Sequence, residues 1–158
     1  MTSQSGIAIK NIVTALLDHM GFAAATIEVK EEEGGNSYVC EVSIADGQNF
    51  LIGQYGMNLA ALQHLTRILA RKEVGEKLDI IVDVNNYFAE KRQLLEKEAK
   101  QALEEALQKN VAVSLRPMLS YERKIVHAFL ANNESVMTES AGFGEERRVT
   151  VRPKPLSE

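Results

Sequence analysis

The segment Gly53-Gln54-Tyr55-Gly56 carries two glycines three positions apart, directly before a periodic apolar stretch that predicts a helix. Glycines let a backbone approach a ligand closely, and the free amides at a helix start attract phosphates. The segment could therefore hold a phosphate backbone. The alternative is a tight turn between two helices, because a chain with ten glycines produces this spacing by chance with appreciable frequency.

A second pair, Arg123 and His127, lies four positions apart in a predicted helix, so both side chains share one face. A guanidinium can donate a forked pair of hydrogen bonds to a phosphate, and an imidazole can donate one. The alternative is structural: the arginine holds the preceding turn and the histidine is half-buried.

Arg147 and Arg148 open a stretch with strand-like alternation near the carboxyl end. Arg148 shares a strand face with Thr150 and Arg152, while the valines between them face the core. The glycines of residues 140–144 could let this basic strand end approach a phosphate.

His64, Arg67 and Arg71 are spaced by three and four, so they form a stripe on the helix after the first glycine segment. Arg67 and Arg71 could touch phosphates there. The alternative is an ordinary solvated polar face.

Composition limits the class of protein. The 158 residues are 45% apolar and 25% charged, which is typical of a globular protein. A single cysteine excludes a disulfide framework and a cysteine-rich zinc site. We expect no cofactor, no membrane insertion, no signal peptide and a cytoplasmic location.

The net charge of −4 argues against a nucleic-acid binder only until the chain is divided. Residues 1–84 hold six basic and eleven acidic residues, a charge of −5, and residues 85–158 hold twelve and eleven, a charge of +1. A local basic patch in the second half is compatible with the overall charge.

Apolar periodicity predicts an α+β fold in which helices cover a three-stranded sheet in the first half. The predicted order there is a helix over 6–20 capped by Ser5, a hairpin over 25–45, a short apolar piece at 50–52, a helix ending at Gly75 and a strand over 78–84. The second half is predicted to contain a helix capped by Asn85-Asn86 and running to about Lys109, a strand at 111–115, a helix capped by Ser120 with Tyr121, Ile125 and Phe129 inward, and strands at 136–138 and 149–151.

The order of elements over roughly residues 6–84, with its loop, resembles a type II KH domain (α-β-β-α-α-β), a fold that binds single-stranded RNA. The resemblance implies a groove for about four nucleotides beside Gly53 and Gly56. KH loops often carry a basic residue between the glycines, whereas Gln54 and Tyr55 stand here. We expect Tyr55 either to stack on a base or sugar or to cover the helix end.

The second half resembles an R-three-H domain, a single-stranded nucleic-acid binding module named for its Arg-x-x-x-His pair. The segments that carry the likeness are 113–118, 120–127, Ser140 and 147–149. The resemblance implies that helices pack on a small three-stranded sheet. It also implies that Arg123 and His127 contact phosphate, flanked by the basic residues Arg116, Arg147 and Arg148.

A KH domain followed directly by an R-three-H domain resembles the bacterial Jag family, also called KhpB or SpoIIIJ-associated. We assign residues 1–84 to the KH domain, 85–155 to the R-three-H domain and 156–158 to a tail, with no N-terminal Jag domain expected. The resemblance implies a cytoplasmic binder of single-stranded RNA, with single-stranded DNA left open. It also implies a link to cell-envelope growth and division, and pairing with a small KH protein or a second copy.

Two other classes of function compete with a non-enzymatic binder. The acidic first half and the uncharged loop would suit a protein-interaction adaptor with a degenerate KH domain. An enzyme is disfavoured, because Glu122 lies about 140° around the helix from His127. The sequence also shows no nucleophile, phosphate-loop or metal motif.

Overall fold

A computed structural model describes residues 3–155, which divide into two compact units between Tyr87 and Phe88. The predicted mixed helix-and-sheet class is confirmed, since this part of the chain contains five α-helices and two three-stranded sheets. The predicted tail at 156–158 lies outside the described residues.

The first unit has the predicted order of helices and strands. Strand β1 (Thr26–Glu31) pairs antiparallel with β2 (Ser37–Ser43), and β2 pairs parallel with β3 (Asp79–Val84), in the sheet order β1-β2-β3. Ser3, rather than the predicted Ser5, caps the first helix, because its Oγ accepts the Gly6 amide at 3.2 Å. The elements are α1 (Gln4–His19), β1 (Thr26–Glu31), β2 (Ser37–Ser43), α2 (Gln48–Ile52), a 3-10 turn (Gln54–Gly56), α3 (Met57–Val74) and β3 (Asp79–Val84).

The core of the first unit forms where α1 and α3 cover the alternating apolar residues of the sheet. Cys40 on the central strand β2 is fully buried there. Burial, with a smaller contribution from the charge of Glu41, raises the pKa of the Cys40 thiol to about 12.

Asn85 joins the end of β3 to the end of β2. Its side chain both accepts from the Ile44 amide and donates to the Ile44 carbonyl, each at 3.0 Å. The side-chain amide of Asn85 is therefore committed to β2. The next helix begins directly after Asn86, at Tyr87, so a cap by Asn85-Asn86 stays a prediction. Asn85 and Asn86 have φ of 49° and 58°, a left-handed backbone that asparagine tolerates.

The second unit is built on an antiparallel sheet in which β6 (Arg148–Pro153) lies between β4 (Val113–Pro117) and β5 (Val136–Ala141). Val149 and Val151 of β6 lie in one apolar cluster with the small and apolar residues of the two helices. The elements are α4 (Tyr87–Lys109), β4 (Val113–Pro117), α5 (Ser120–Leu130), β5 (Val136–Ala141), a 3-10 turn (Gly144–Glu146) and β6 (Arg148–Pro153).

Helix α5 is rotated relative to the prediction. Its buried residues are Glu122, Val126 and Leu130, whereas Phe129 is exposed. The predicted inward set of Tyr121, Ile125 and Phe129 is shifted by one position. The cause is Glu122, a carboxylate that a hydrophobicity pattern assigns to the surface.

Candidate nucleic-acid interface

Met118 links two of the predicted phosphate-binding arginines. Arg123 donates from Nη1 to the Met118 carbonyl at 2.8 Å, and the Met118 amide donates to the Arg147 carbonyl at 3.0 Å. A guanidinium has five N–H donors, so this bond leaves most of the Arg123 donors available. Arg147 is exposed. The two residues therefore lie close together in the fold, although 24 positions separate them in the sequence.

Ion pairing divides the cations of the second unit into two groups. Neither Arg123 nor Arg147 forms an ion pair with any carboxylate in the described part of the chain. The cations that do form such pairs are Lys91, Arg92, Lys109, Arg116, Arg148 and Arg152.

Two of the predicted phosphate contacts belong to the paired group. Arg116 lies 3.2 Å from Glu98 and 3.5 Å from Glu122, and Arg148 lies 2.9 Å from Glu146. A phosphate at either guanidinium would have to compete with a carboxylate already in place. The structure brings Arg148 to the same strand end as Arg147, but with its charge balanced.

Glu122 fixes the start of α5, immediately before Arg123. It is fully buried, accepts the Leu119 amide at 2.7 Å and pairs with Lys91 at 2.8 Å. Burial alone would raise its pKa. The hydrogen bonds from Lys91 and Leu119, with the charges of Lys91 and Arg116, outweigh burial and hold the pKa of this carboxyl below its usual range.

His127 has both ring nitrogens engaged. Nδ1 lies 2.7 Å from Thr138 Oγ1 and Nε2 lies 2.8 Å from Ser140 Oγ. Burial, and then the charge of Arg123, lower the pKa of the imidazole, so the neutral form dominates at neutral pH. The ring clamps α5 onto β5. The structural alternative from the sequence is thus present in the geometry: Arg123 binds the preceding turn and His127 is half-buried.

A glycine loop follows β5 and holds Phe143 in solvent. The Phe143 side chain is 93% exposed. Gly142 has φ +89°, and a Cβ there would lie 3.0 Å from the Glu146 carbonyl oxygen, so the loop folds back tightly on itself. Glu146 donates its amide to the Phe143 carbonyl at 3.2 Å. The turn thus presents an aromatic ring a few residues before Arg147.

The loop of the first unit is equally tight. A Cβ on Gly53 would lie 2.5 Å from Asn58 Cγ, and the Asn58 side chain is held by a 2.7 Å hydrogen bond to the Phe50 carbonyl. A Cβ on Gly56 would lie 3.1 Å from the Tyr87 hydroxyl. Tyr55 has a left-handed φ of 55° and is 54% exposed, and Gln54 brings no charge. Close packing against Asn58 and Tyr87 is therefore a structural reason for glycine at both positions.

The helical stripe of the first unit does not act as one surface. Arg67 donates from Nε to the Ile80 carbonyl at 2.8 Å and pairs with Asp79 at 3.3 Å. Gln63 accepts the Val82 amide at 3.0 Å, so these two α3 side chains cover the open edge of β3. Arg71 and His64 are exposed on α3.

Within residues 3–155, no group of three or more His, Cys, Asp or Glu side chains could hold a metal ion. None of the helices in this range combines the length and apolar character that crossing a bilayer requires.

Comparison with known proteins agrees with the likeness noted in the sequence. A family model described as the R-three-H domain matches residues 93–153. The RNA-binding protein KhpB of Lactiplantibacillus plantarum is 31% identical over 142 residues, which are 88% of this chain and 44% of that protein. The chain belongs to the KhpB family.

Two further KhpB relatives are matched over a similar share of their own length. The RNA-binding protein KhpB of Clostridium symbiosum is 34% identical over 69% of this chain and 49% of its own length. That of Bacillus subtilis is 33% identical over 66% of this chain and 51% of its own length. The chain thus spans about half the length of the KhpB relatives it matches.

Sequence reasoning missed the residues that connect the candidate site. Met118 connects Arg123 with Arg147 through its backbone carbonyl and amide, so its residue type gives no indication of this role. Thr138 bonds His127 from the following strand, 11 positions along the chain, and Phe143 lies among the glycines of residues 140–144. A glycine on each side of a lone aromatic was the available signal for Phe143.

Proposed function

We propose that the chain is a non-enzymatic binder of single-stranded nucleic acid, with RNA as the expected ligand. The second unit supplies the charge, and Arg123 and Arg147 contact phosphate. The observation that carries this proposal is their connection through Met118 while both remain outside the ion pairs of the unit. The printed names of the KhpB relatives, which call those proteins RNA-binding, support the choice of ligand.

Arg116, Arg148 and His127 are proposed in supporting roles. Arg116 and Arg148 are assigned secondary phosphate contacts that compete with the carboxylates of their ion pairs, and His127 holds α5 on β5. Arg67 is proposed as an edge-strand partner. Arg71 remains a candidate phosphate contact for the first unit.

We further propose that residues 1–84 form a type II KH domain and residues 85–155 an R-three-H domain. The order α1-β1-β2-α2-α3-β3, with a GxxG turn before α3, supports the first assignment. In the first unit, Gly53 and Gly56 shape the loop, while Gln54 and Tyr55 line it. This loop brings no cation, so we assign it base or sugar contacts rather than electrostatic affinity.

Family membership also supports three wider proposals: a cytoplasmic location, a link to cell-envelope growth and division, and pairing with a small KH protein or a second copy. The exposed side chains Leu65, Ile68 and Leu69 on α3 offer an apolar surface for pairing. Sedimentation velocity across a concentration series tests self-pairing. A Leu65→Lys variant should shift the protein towards the monomer if α3 is the contact.

The test of binding is fluorescence anisotropy with a labelled single-stranded RNA across a salt series. Arg123→Gln and Arg147→Gln should each weaken binding roughly three- to tenfold and flatten the salt slope by about 0.7, the value for one phosphate contact on a single strand. Arg92→Gln is the matched control, since it removes the same charge from an exposed ion pair with Glu96. Equal losses in all three variants would show a general charge effect and contradict the assigned site.

A second candidate function is a protein-interaction adaptor. It is favoured by the exposed apolar residues Phe50, Tyr55 and Met57 around an uncharged loop in the acidic unit. Absence of RNA binding by the unchanged chain at low salt, with a partner captured equally before and after nuclease treatment, would favour the adaptor.

A further inference from the structure

We propose that the hydroxyl of Ser140 donates the hydrogen bond to phosphate, and that His127 is a positioning residue that orients this hydroxyl. The inference deepens the proposed function and rests on it. It changes the role of the Arg-x-x-x-His pair, because the histidine acts through a serine on a neighbouring strand.

The geometry of the ring leads to this assignment. His127 meets one hydroxyl on each side, Thr138 at Nδ1 and Ser140 at Nε2. Both nitrogens are therefore committed inside the protein, and the ring offers no N–H to a ligand. A ligand at this point would meet the hydroxyl of Ser140 instead.

The hydrogen count selects one tautomer when phosphate is bound. A neutral imidazole has one donor and one acceptor nitrogen. If Nε2 carries the hydrogen, it donates to Ser140 Oγ, and the Thr138 hydroxyl donates to Nδ1. The hydrogen of Ser140 is then free to point to a phosphate oxygen. In the other tautomer Ser140 donates inward to Nε2, and only its lone pairs face outward.

A closed path of contacts connects Ser140 with Arg123 and Arg147, the two arginines that lie outside the ion pairs of the second unit. Arg123 reaches Arg147 through Met118. Arg148, the next residue, pairs across the sheet with Ala141, which directly follows Ser140. Ser140 returns to α5 through His127, one turn beyond Arg123. Ser140, Arg123 and Arg147 therefore lie around one region of the second unit.

Thr138 provides a matched control within the same hydrogen-bond system. It bonds the same ring at nearly the same distance, but it pairs opposite Val151, two residues farther from the glycine loop. Ser140→Ala and Thr138→Val each remove one hydroxyl and one bond to His127. A purely structural role predicts equal effects from both.

The experiment combines RNA anisotropy with thermal melting on the unchanged chain, Ser140→Ala, Thr138→Val and Arg123→Gln, using a labelled oligouridine. We expect both hydroxyl variants to lose similar stability, while Ser140→Ala weakens binding by roughly three- to tenfold and Thr138→Val, which removes only the donor to Nδ1, weakens it less. If Arg123→Gln weakens binding and the two hydroxyl variants behave alike, this inference is overturned and the proposed function stands. If the unchanged chain does not bind, the proposed function fails and this inference fails with it.

A second measurement needs no variant. Nitrogen NMR of the His127 ring in the unchanged chain reports which nitrogen carries the hydrogen. At saturating oligouridine the Nε2–H tautomer should dominate. A dominant Nδ1–H tautomer in that complex would overturn the role of Ser140 even if Ser140→Ala failed to fold.

Discussion

The two units each present an aromatic side chain between glycines, yet the surroundings of the two rings differ. Tyr55 is half exposed in a loop whose glycines pack against Asn58 and Tyr87, with no basic residue between them. Phe143 is almost fully exposed and is followed within four positions by Arg147. The same residue types thus produce an uncharged loop in an acidic unit and a loop beside free positive charge in the other.

This difference teaches that glycines and an aromatic residue do not by themselves specify a nucleic-acid site. The neighbouring charge, and whether a carboxylate already neutralises it, decides how strongly phosphate is attracted. By that criterion the second unit should dominate affinity, and the first should contribute mainly selectivity.

The largest effect is expected from the buried carboxylate that supports the stronger site. Glu122→Ala leaves Lys91, whose side chain is 15% exposed, without its carboxylate, and it also removes the acceptor of the Leu119 amide. We expect the second unit to lose about 3–5 kcal/mol in free energy of unfolding. Chemical denaturation, with Glu96→Ala as the exposed-pair control, measures this. A loss below that of the control would contradict the structural role of Glu122.

A smaller loss should follow from closing the glycine loop of the first unit. Gly53→Ala places a Cβ against Asn58 in a left-handed backbone, and we expect a cost of about 1–3 kcal/mol. Gly75→Ala is the control, because its φ is also positive but nothing lies within 4 Å. Adding Asn58→Ala to Gly53→Ala should recover part of the loss. Equal melting of the two glycine variants would show that the close contact is unimportant.

The aromatic rings test the comparison directly. Phe143→Ala should weaken RNA binding by about 1 kcal/mol, the lower end of the range for a stacked base, and leave the melting temperature unchanged. Tyr55→Ala should weaken it less, because that ring has no neighbouring cation in its loop. Anisotropy on the two variants side by side decides the order. A greater loss for Tyr55→Ala would reverse the assignment of the dominant unit.

The smallest effect concerns pH. The pKa values of Glu122 and His127 are both lowered in the folded chain, so the unfolded chain binds more protons as the solution becomes acidic. Each group therefore stabilises the folded chain fully when the pH is above its ordinary pKa, which is 6.5 for histidine and 4.5 for glutamate. This stabilisation is lost as the pH falls through the lower pKa of the folded chain. Denaturation of the second unit at a series of pH values should show falling stability below about pH 6.5. His127→Gln should remove the earlier part of that decline.

Much of the element order could be predicted because it depends on local periodicity. The alternation from Ile27 to Ile44 specifies a hairpin, and the apolar spacing from Ile9 to Leu17 specifies a helix, without knowledge of other segments. The inward face of α5 could not be predicted in this way. Its first buried residue, Glu122, depends on Lys91 and Leu119, and Lys91 lies in another element.

The residue types of the candidate site could be predicted from the sequence, but the hydrogen-bond and ion-pair partners of each side chain could not. Arg116 and Arg123 look alike in the sequence, yet one meets Glu98 and the other meets a carbonyl oxygen. His127 looks available for a ligand until β5 brings Thr138 and Ser140 to both sides of its ring. Such pairings arise from strand register and helix packing, which one-dimensional spacing does not encode.

Cys40 is the single cysteine of the chain, so the rate at which it reacts with a thiol reagent can report the opening of the first unit. A thiol reagent attacks the thiolate, and burial at the centre of the sheet suppresses both access and ionisation. Labelling therefore requires the sheet to open. The rate of labelling under native conditions would report the opening free energy of this unit alone, while the second unit contributes no thiol signal.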